Sequence, residues 1–171
     1  MSELDSSFSE WALRAGYSVF DRPAGAVVAN SGGEIRFEYT RDDTGFLLTS
    51  AERAEDPATL MWSSHFDDIL FMLIMLLGDT LRSRAGMPEI WLPFKWGECA
   101  PGYRPLKLDG RWTGLEKEGE ILALRTFGSD LVYDIVSLSY LIDLDPGAVM
   151  ASYADPGGHP LLHKFLRPSE E

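Results

Sequence analysis

The sequence is poor in the residues that staple, chelate or anchor. Of its 171 residues one is cysteine and three are histidine, and its longest apolar run is nine residues, Ile69 to Leu77. The single thiol, Cys99, excludes an intramolecular disulfide and a cysteine-paired metal knuckle, which fits a reducing compartment. A bilayer-spanning helix needs about 20 predominantly apolar residues. The run here is half that and is flanked by Asp67, Asp68 and Asp79, so a membrane span is excluded. Positive charge is also scarce: 15 Lys and Arg stand against 27 Asp and Glu, for a net charge of −12. Such a surface repels phosphate backbones and anionic lipid and steers cationic partners inward, which argues against a nucleic-acid ligand. The N-terminus, MSELDSSFSEW, lacks the basic and then apolar regions of a secretory signal, and a cytoplasmic location is expected.

What is present suffices for one folded domain. A chain of this length buries roughly two thirds of its unfolded surface. With no internal repeat or linker, residues 1–171 read as a single domain whose last few residues form a flexible tail. A capping box of Ser7 and Glu10 opens a short helix that Gly16 stops. Short β-type runs follow, YSVF, AVVAN, EIRFEYT and GFLLTS, separated by turn residues at Arg22-Pro23, SGG and RDDTG. The apolar run sits inside a helix from His65 to Arg84, with Ser64 and Asp67 as a second capping box. Acids at its start and Arg82 and Arg84 at its end suit the helix dipole. A helix apolar all round must be covered by a sheet on one side and shorter helices on the other. Leu73, Ile74, Leu76 and Leu77 are therefore expected to be inaccessible, with Met72 and Met75 filling gaps in the core.

Beyond EIWLPF and a loop, KWGECAPGYRP, the runs LKL, RWTGLEK and EILALRTF form a second meander. Asp109-Gly110 is its strong type I′ turn signal, and Glu118-Gly119 lies between its last two runs. Ser129 caps a helix through Leu138, and Asp145-Pro146 opens another through Tyr153. The class is α+β: antiparallel sheet of about six to eight strands around one long buried helix, with shorter N- and C-terminal helices.

Catalytic and metal-binding patterns are weak. His159 and His163 have the spacing of a helical metal pair, with Asp155 nearby, but Pro160 and two glycines break the helix that this spacing requires. Cys99 lies in no pattern that lowers a thiol pKa. SGGEIR opens a strand, so it is a hairpin turn and not a phosphate cradle. No cofactor is expected. The acid pairs Asp42-Asp43, Glu55-Asp56 and Asp67-Asp68 read as turn and cap residues. The unusual feature is aromatic: Trp91, Trp96, Tyr103 and Trp112 fall within 22 residues, interleaved with Lys95, Glu98, Arg104 and Arg111. Two or three of these tryptophans can fill a core, yet Trp, Tyr and Arg are also the residue types of protein-binding hot spots.

Six short patterns, in this order, resemble the immunity proteins, or antitoxins, of polymorphic toxin systems, of the kind that neutralises tuberculosis necrotizing toxin. They are WALRAGY at 11–17, GGEIR at 32–36, LLTSAER at 47–53, RSRAGMP at 82–88, APGY at 100–103 and ASYADPGGHPLL at 151–162. The resemblance implies a bacterial, non-catalytic inhibitor that binds a cognate toxin domain and occludes its active-site region. For the best-known family member the toxin is an NAD+ glycohydrolase. Loops that protrude from a rigid sheet suit that task. The candidate toxin contacts are Trp96, Glu98, Tyr103 and Arg104 in the KWGECAPGYR loop, followed by Glu52, Arg53, Glu55 and Asp56. Arg53 equally reads as a residue that pairs with an acid to fix a strand end. The free protein is expected to be a monomer. Two other readings stay open: a small enzyme with a site built from His65, Asp67, Asp68 and Cys99, and a homo-oligomer joined through the apolar helix.

Overall fold

A computed structural model describes residues 3–128 and 131–168. Helix α1 (Ser6–Arg14) leads into β1 (Tyr17–Arg22), β2 (Gly25–Asn30), β3 (Ile35–Arg41), β4 (Phe46–Glu52) and β5 (Ala58–Ser63). Helix α2 (Phe66–Arg84) follows, then β6 (Tyr103–Lys107), β7 (Trp112–Lys117) and β8 (Glu120–Phe127), and finally α3 (Asp134–Leu138) and α4 (Pro146–Ala154). The two expected meanders are one antiparallel sheet of order β1-β2-β3-β4-β5-β8-β7-β6. The seam is β5, a strand not expected from the sequence, whose Met61, Trp62 and Ser63 pair with Thr126, Arg125 and Leu124 of β8.

Several local signals land away from where spacing puts them. The type I′ geometry belongs to Glu118-Gly119, where both residues have positive φ, 50° and 89°. Around Asp109-Gly110 the chain makes a four-residue loop instead, with only Gly110 in that region of φ. Helix α1 is capped by Asp5, whose carboxylate accepts from the Phe8 N–H at 2.8 Å, and not by Ser7. The Ser64–Asp67 capping box expected ahead of α2 does not form: the N-cap is His65 with no side-chain cap, and it is Ser63, a buried hydroxyl at the strand end in need of a partner, that donates to Asp68. Tyr133 is the N-cap of α3; the expected Ser129 cap and the tail at 169–171 lie outside the described residues. Leu131 and Val132, expected inside that helix, precede it and are exposed. The Asp145 cap of α4 stands as expected, accepting from Ala148 N–H at 2.8 Å.

One sheet face carries the core. Tyr39, Leu48, Met61, Leu115 and Leu124 turn inward and join Ile69, Met72, Leu73, Ile74 and Leu77 of α2 in one apolar cluster. Each such side chain contributes about 1.5–3 kcal/mol by leaving water. Leu76 differs from expectation: it is half-buried, on the flank of α2 that neither the sheet nor α4 covers.

The basic end of α2 is more than a dipole partner. Arg82 is 1% exposed, and its guanidinium donates to the carbonyls of Pro88, Ser152, Tyr153, Asp155 and Pro156. It thereby ties the 82–88 pattern to the 151–162 pattern. Beside it, Gly78 leaves room for the Tyr153 ring, which occupies the space a Cβ would take. Together these contacts lock α4 across α2.

Candidate functional site

The eight residues singled out from the sequence do not converge. Glu52, Arg53, Glu55 and Asp56 are exposed in the turn after β4, at the end of the sheet shared with the β6–β7 loop. Tyr103 and Arg104 open β6 at the opposite end. Arg104 pairs with Glu116 at 2.7 Å, and Tyr103 donates to Asp143 at 2.6 Å while Lys117 bridges the same carboxylate. Burial and the Asp143 hydrogen bond push the Tyr103 hydroxyl up to about 12, so it acts as a fixed strut. Arg53 forms no ion pair with an acid in its own turn; its positive φ, 51°, and its carbonyl accepting from Arg36 make it a turn residue. Trp96 and Glu98 remain exposed, with Trp96 set edge-on to Tyr133 at 5.1 Å and Lys107 over its ring.

The groups of the enzyme reading separate too. His65 and Asp68 line one cavity of about 340 Å³, whereas Cys99 lies outside it beside Ser139, its thiol pushed up by burial. The rings of His159 and His163 stack at 4.8 Å, and the Asp155 carboxylate accepts from the His159 backbone N–H.

Trp96 leads instead to a site with no signature in the sequence. Tyr133 N–H donates to the Phe94 carbonyl at 2.9 Å, and Ser137 Oγ to that of Pro93 at 2.9 Å, so the 91–96 segment is zipped onto the start of α3. Between this zipper and the uncovered flank of α2 lies a cleft of about 270 Å³. Its walls are apolar, from Leu76, Ile90, Leu92 and Phe94; Asp79 and Asp134 enter it, and Tyr153 lies at its floor. No lysine, arginine or histidine lines it. Burial, reinforced by the nearby negative charge of Glu89, pushes the Asp79 carboxyl up to about 6 even though part of the residue reaches solvent. Burial alone raises Asp134. Trp91 and Val132 line it and are 53% and 49% exposed, and next to them along the chain Leu131 and, edge-on to Tyr133, Trp96 are 81% and 42% exposed. Exposed apolar residues gathered in this way mark an interaction surface.

The sheet face turned away from the helices is aromatic as well. Register aligns Leu47, Trp62, Arg125 and Gly114 across four strands. The Arg125 guanidinium lies between the Trp62 and Trp112 rings, at 5.0 and 4.8 Å, and Arg111 covers Phe127 at 5.4 Å. Gly114, opposite Arg125, offers no side chain to block that stack.

A profile of the Immunity protein 61 family matches residues 11–161. The chain belongs to the Immunity protein 61 family. It is 23% identical over 168 residues to the immunity factor for TNT of Mycobacterium tuberculosis strain ATCC 25618 / H37Rv, covering 94% of this chain and 93% of that protein. The homologue from Mycobacterium bovis strain BCG / Pasteur 1173P2 matches to the same extent. The solved structure of Rv3902c from M. tuberculosis superposes with a TM-score of 0.77 at 22% identity, over 94% of this chain and 96% of that one, which establishes a shared fold. Within this Immunity protein 61 member the cleft was hidden from sequence reasoning because its parts, Asp79, Trp91, Val132, Asp134 and Tyr153, come from four segments. Asp79 stands one residue beyond the apolar run of α2 with Arg82 three residues on, a spacing that reads as an ordinary helix-surface pair and so gave no signal.

Proposed function

We propose that this Immunity protein 61 member is a non-catalytic cytoplasmic inhibitor, monomeric when free. It binds a cognate toxin domain, an NAD+ glycohydrolase, and covers its active-site region. Family membership supports the antitoxin role, and the immunity factors for TNT among its relatives support the toxin class by analogy. The observation that carries the proposal is the exposed rim of Trp91, Trp96, Leu131 and Val132, held by the zipper between residues 93–94 and 133–137. Of the contacts expected from the sequence, Trp96 and Glu98 are exposed in the loop that follows Phe94 and are the toxin contacts of this reading. Tyr103 and Arg104, paired with Asp143 and Glu116, and the Glu52–Asp56 turn are separate, outlying contacts.

Co-expression tests this directly. The toxin domain encoded beside this chain should be lethal alone, deplete cellular NAD+, and be tolerated when the chain is present. Replacing Trp91 and Trp96 together with alanine should weaken binding by about 2 kcal/mol or more, the loss expected of hot-spot aromatics. A folded double variant that binds as tightly as the parent would move the interface elsewhere.

A further inference from the structure

We propose that the cleft between α2 and α3 receives the guanidinium or ammonium group of one basic side chain of the toxin domain. This rests on the toxin-binding function above and names the chemistry by which the surface grips its partner.

Two carboxylates, Asp79 and Asp134, line the cleft, and neither has a hydrogen bond or ion pair among the described residues. Arg82 lowers the cost of the Asp79 charge without pairing with it, because all the hydrogen bonds of its guanidinium go to backbone carbonyls. An independent feature points the same way. Tyr153 is 1% exposed, yet its hydroxyl has no hydrogen-bond partner among the described residues. Every fully sealed side-chain N or O there does have one, so this hydroxyl opens on the cleft as a waiting acceptor beside Asp79. Two anions and a neutral oxygen between apolar walls suit an organic cation on an aliphatic stem, whose methylenes pack against Leu76 and Phe94. The volume, about 270 Å³, suits one side chain and falls below the roughly 300–1,000 Å³ of small-molecule pockets. The rim decides between a free cation and a protein: a free cation would leave Trp91, Leu131 and Val132 in water, whereas a docked domain covers them.

The test uses the intact chain. Asp79→Asn with Asp134→Asn should weaken toxin binding at least about thirty-fold, as expected when a buried charge loses its partner. Tyr153→Phe should weaken it about five-fold. In the unmodified protein, N-acetyl-arginine amide at millimolar concentration should shift the NMR signals of Asp79, Asp134 and the Trp91 indole, and N-acetyl-norleucine amide should not. A parent chain that fails to bind or neutralise the toxin refutes the functional reading itself. A parent chain that binds, with a folded Asp79→Asn/Asp134→Asn variant that binds equally well, overturns the cleft proposal alone. Arginine-amide shifts without any loss of toxin affinity in that variant would assign the cleft to a free cation and equally overturn it. Should the double variant not fold, absence of arginine-amide shifts in the parent rejects the proposal.

Discussion

Asp79 shares a surface cleft with Trp91 and Arg125 lies between Trp62 and Trp112, and the protein treats the two charges in opposite ways. On the open sheet face Arg125 is held between two indole rings, so its charge is matched within the molecule. In the cleft Asp79 and Asp134 are desolvated by apolar walls and have no hydrogen bond or ion pair among the described residues, and Arg82 offsets the cost of the Asp79 charge only in part. Aromatic content alone therefore does not identify a binding surface. The face whose charges are already matched has little to gain from a partner's charge, and the one with unmatched charges has much to gain.

The strongest way to break this contrast is to remove the frame behind the cleft. Arg82→Met leaves five carbonyls without their shared donor in a buried site. It should lower the unfolding free energy by about 3 kcal/mol or more, read from urea denaturation. Gly78→Ala comes next. The new methyl group collides with the Tyr153 ring, so about 2 kcal/mol of overpacking cost is expected. The displaced ring should also disturb the NMR signals of Asp79 and Trp91, while those of Trp62 and Trp112 stay in place.

What the sequence made legible follows from the range of the forces involved. The α2 boundaries, the β1–β4 hairpins and the Asp145 cap are set by residues a few positions apart, and they stand as expected or within two residues. The joining of the two meanders through β5 and β8, and the cleft, depend on residues that are distant in sequence, such as Met61 with Thr126 or Asp79 with Asp134. Trp96 was reached through its residue type. Tyr103 and Arg104 are legible in the same way, and their pairing with Asp143 and Glu116 is not, because those partners lie 40 and 12 residues away. Spacing cannot tell a spent hydrogen bond from a free one.

The contrast is sharpened by pH. The Asp79 carboxyl ordinarily titrates near 3.8 and stands at about 6 in the folded protein, so folding favours its protonated form. That stabilisation is fully present below 3.8 and is lost as pH rises through about 6. Glu89 adds to the cost of ionisation, Arg82 reduces it, and Asp134 and Tyr153 share the cleft. Asp79→Asn should match the parent in acid and exceed its stability above neutral pH by about 1 kcal/mol, the shift being discounted for the water that reaches the carboxyl. The same substitution should weaken toxin binding, so stability and affinity move in opposite directions, which is the mark of a charge kept for a partner.

Arg125→Gln is the converse experiment and the smallest effect. It removes two ring contacts at an exposed site and leaves the register of β5, β8 and β7 untouched. A loss of about 0.5–1 kcal/mol in stability is expected, with toxin affinity unchanged within a factor of about two. The measurement is a pair of urea curves and a titration against the same toxin domain. Affinity lost in parallel with stability would place the toxin on the sheet face, and would make a charge already matched by tryptophan as useful to a partner as an unmatched one.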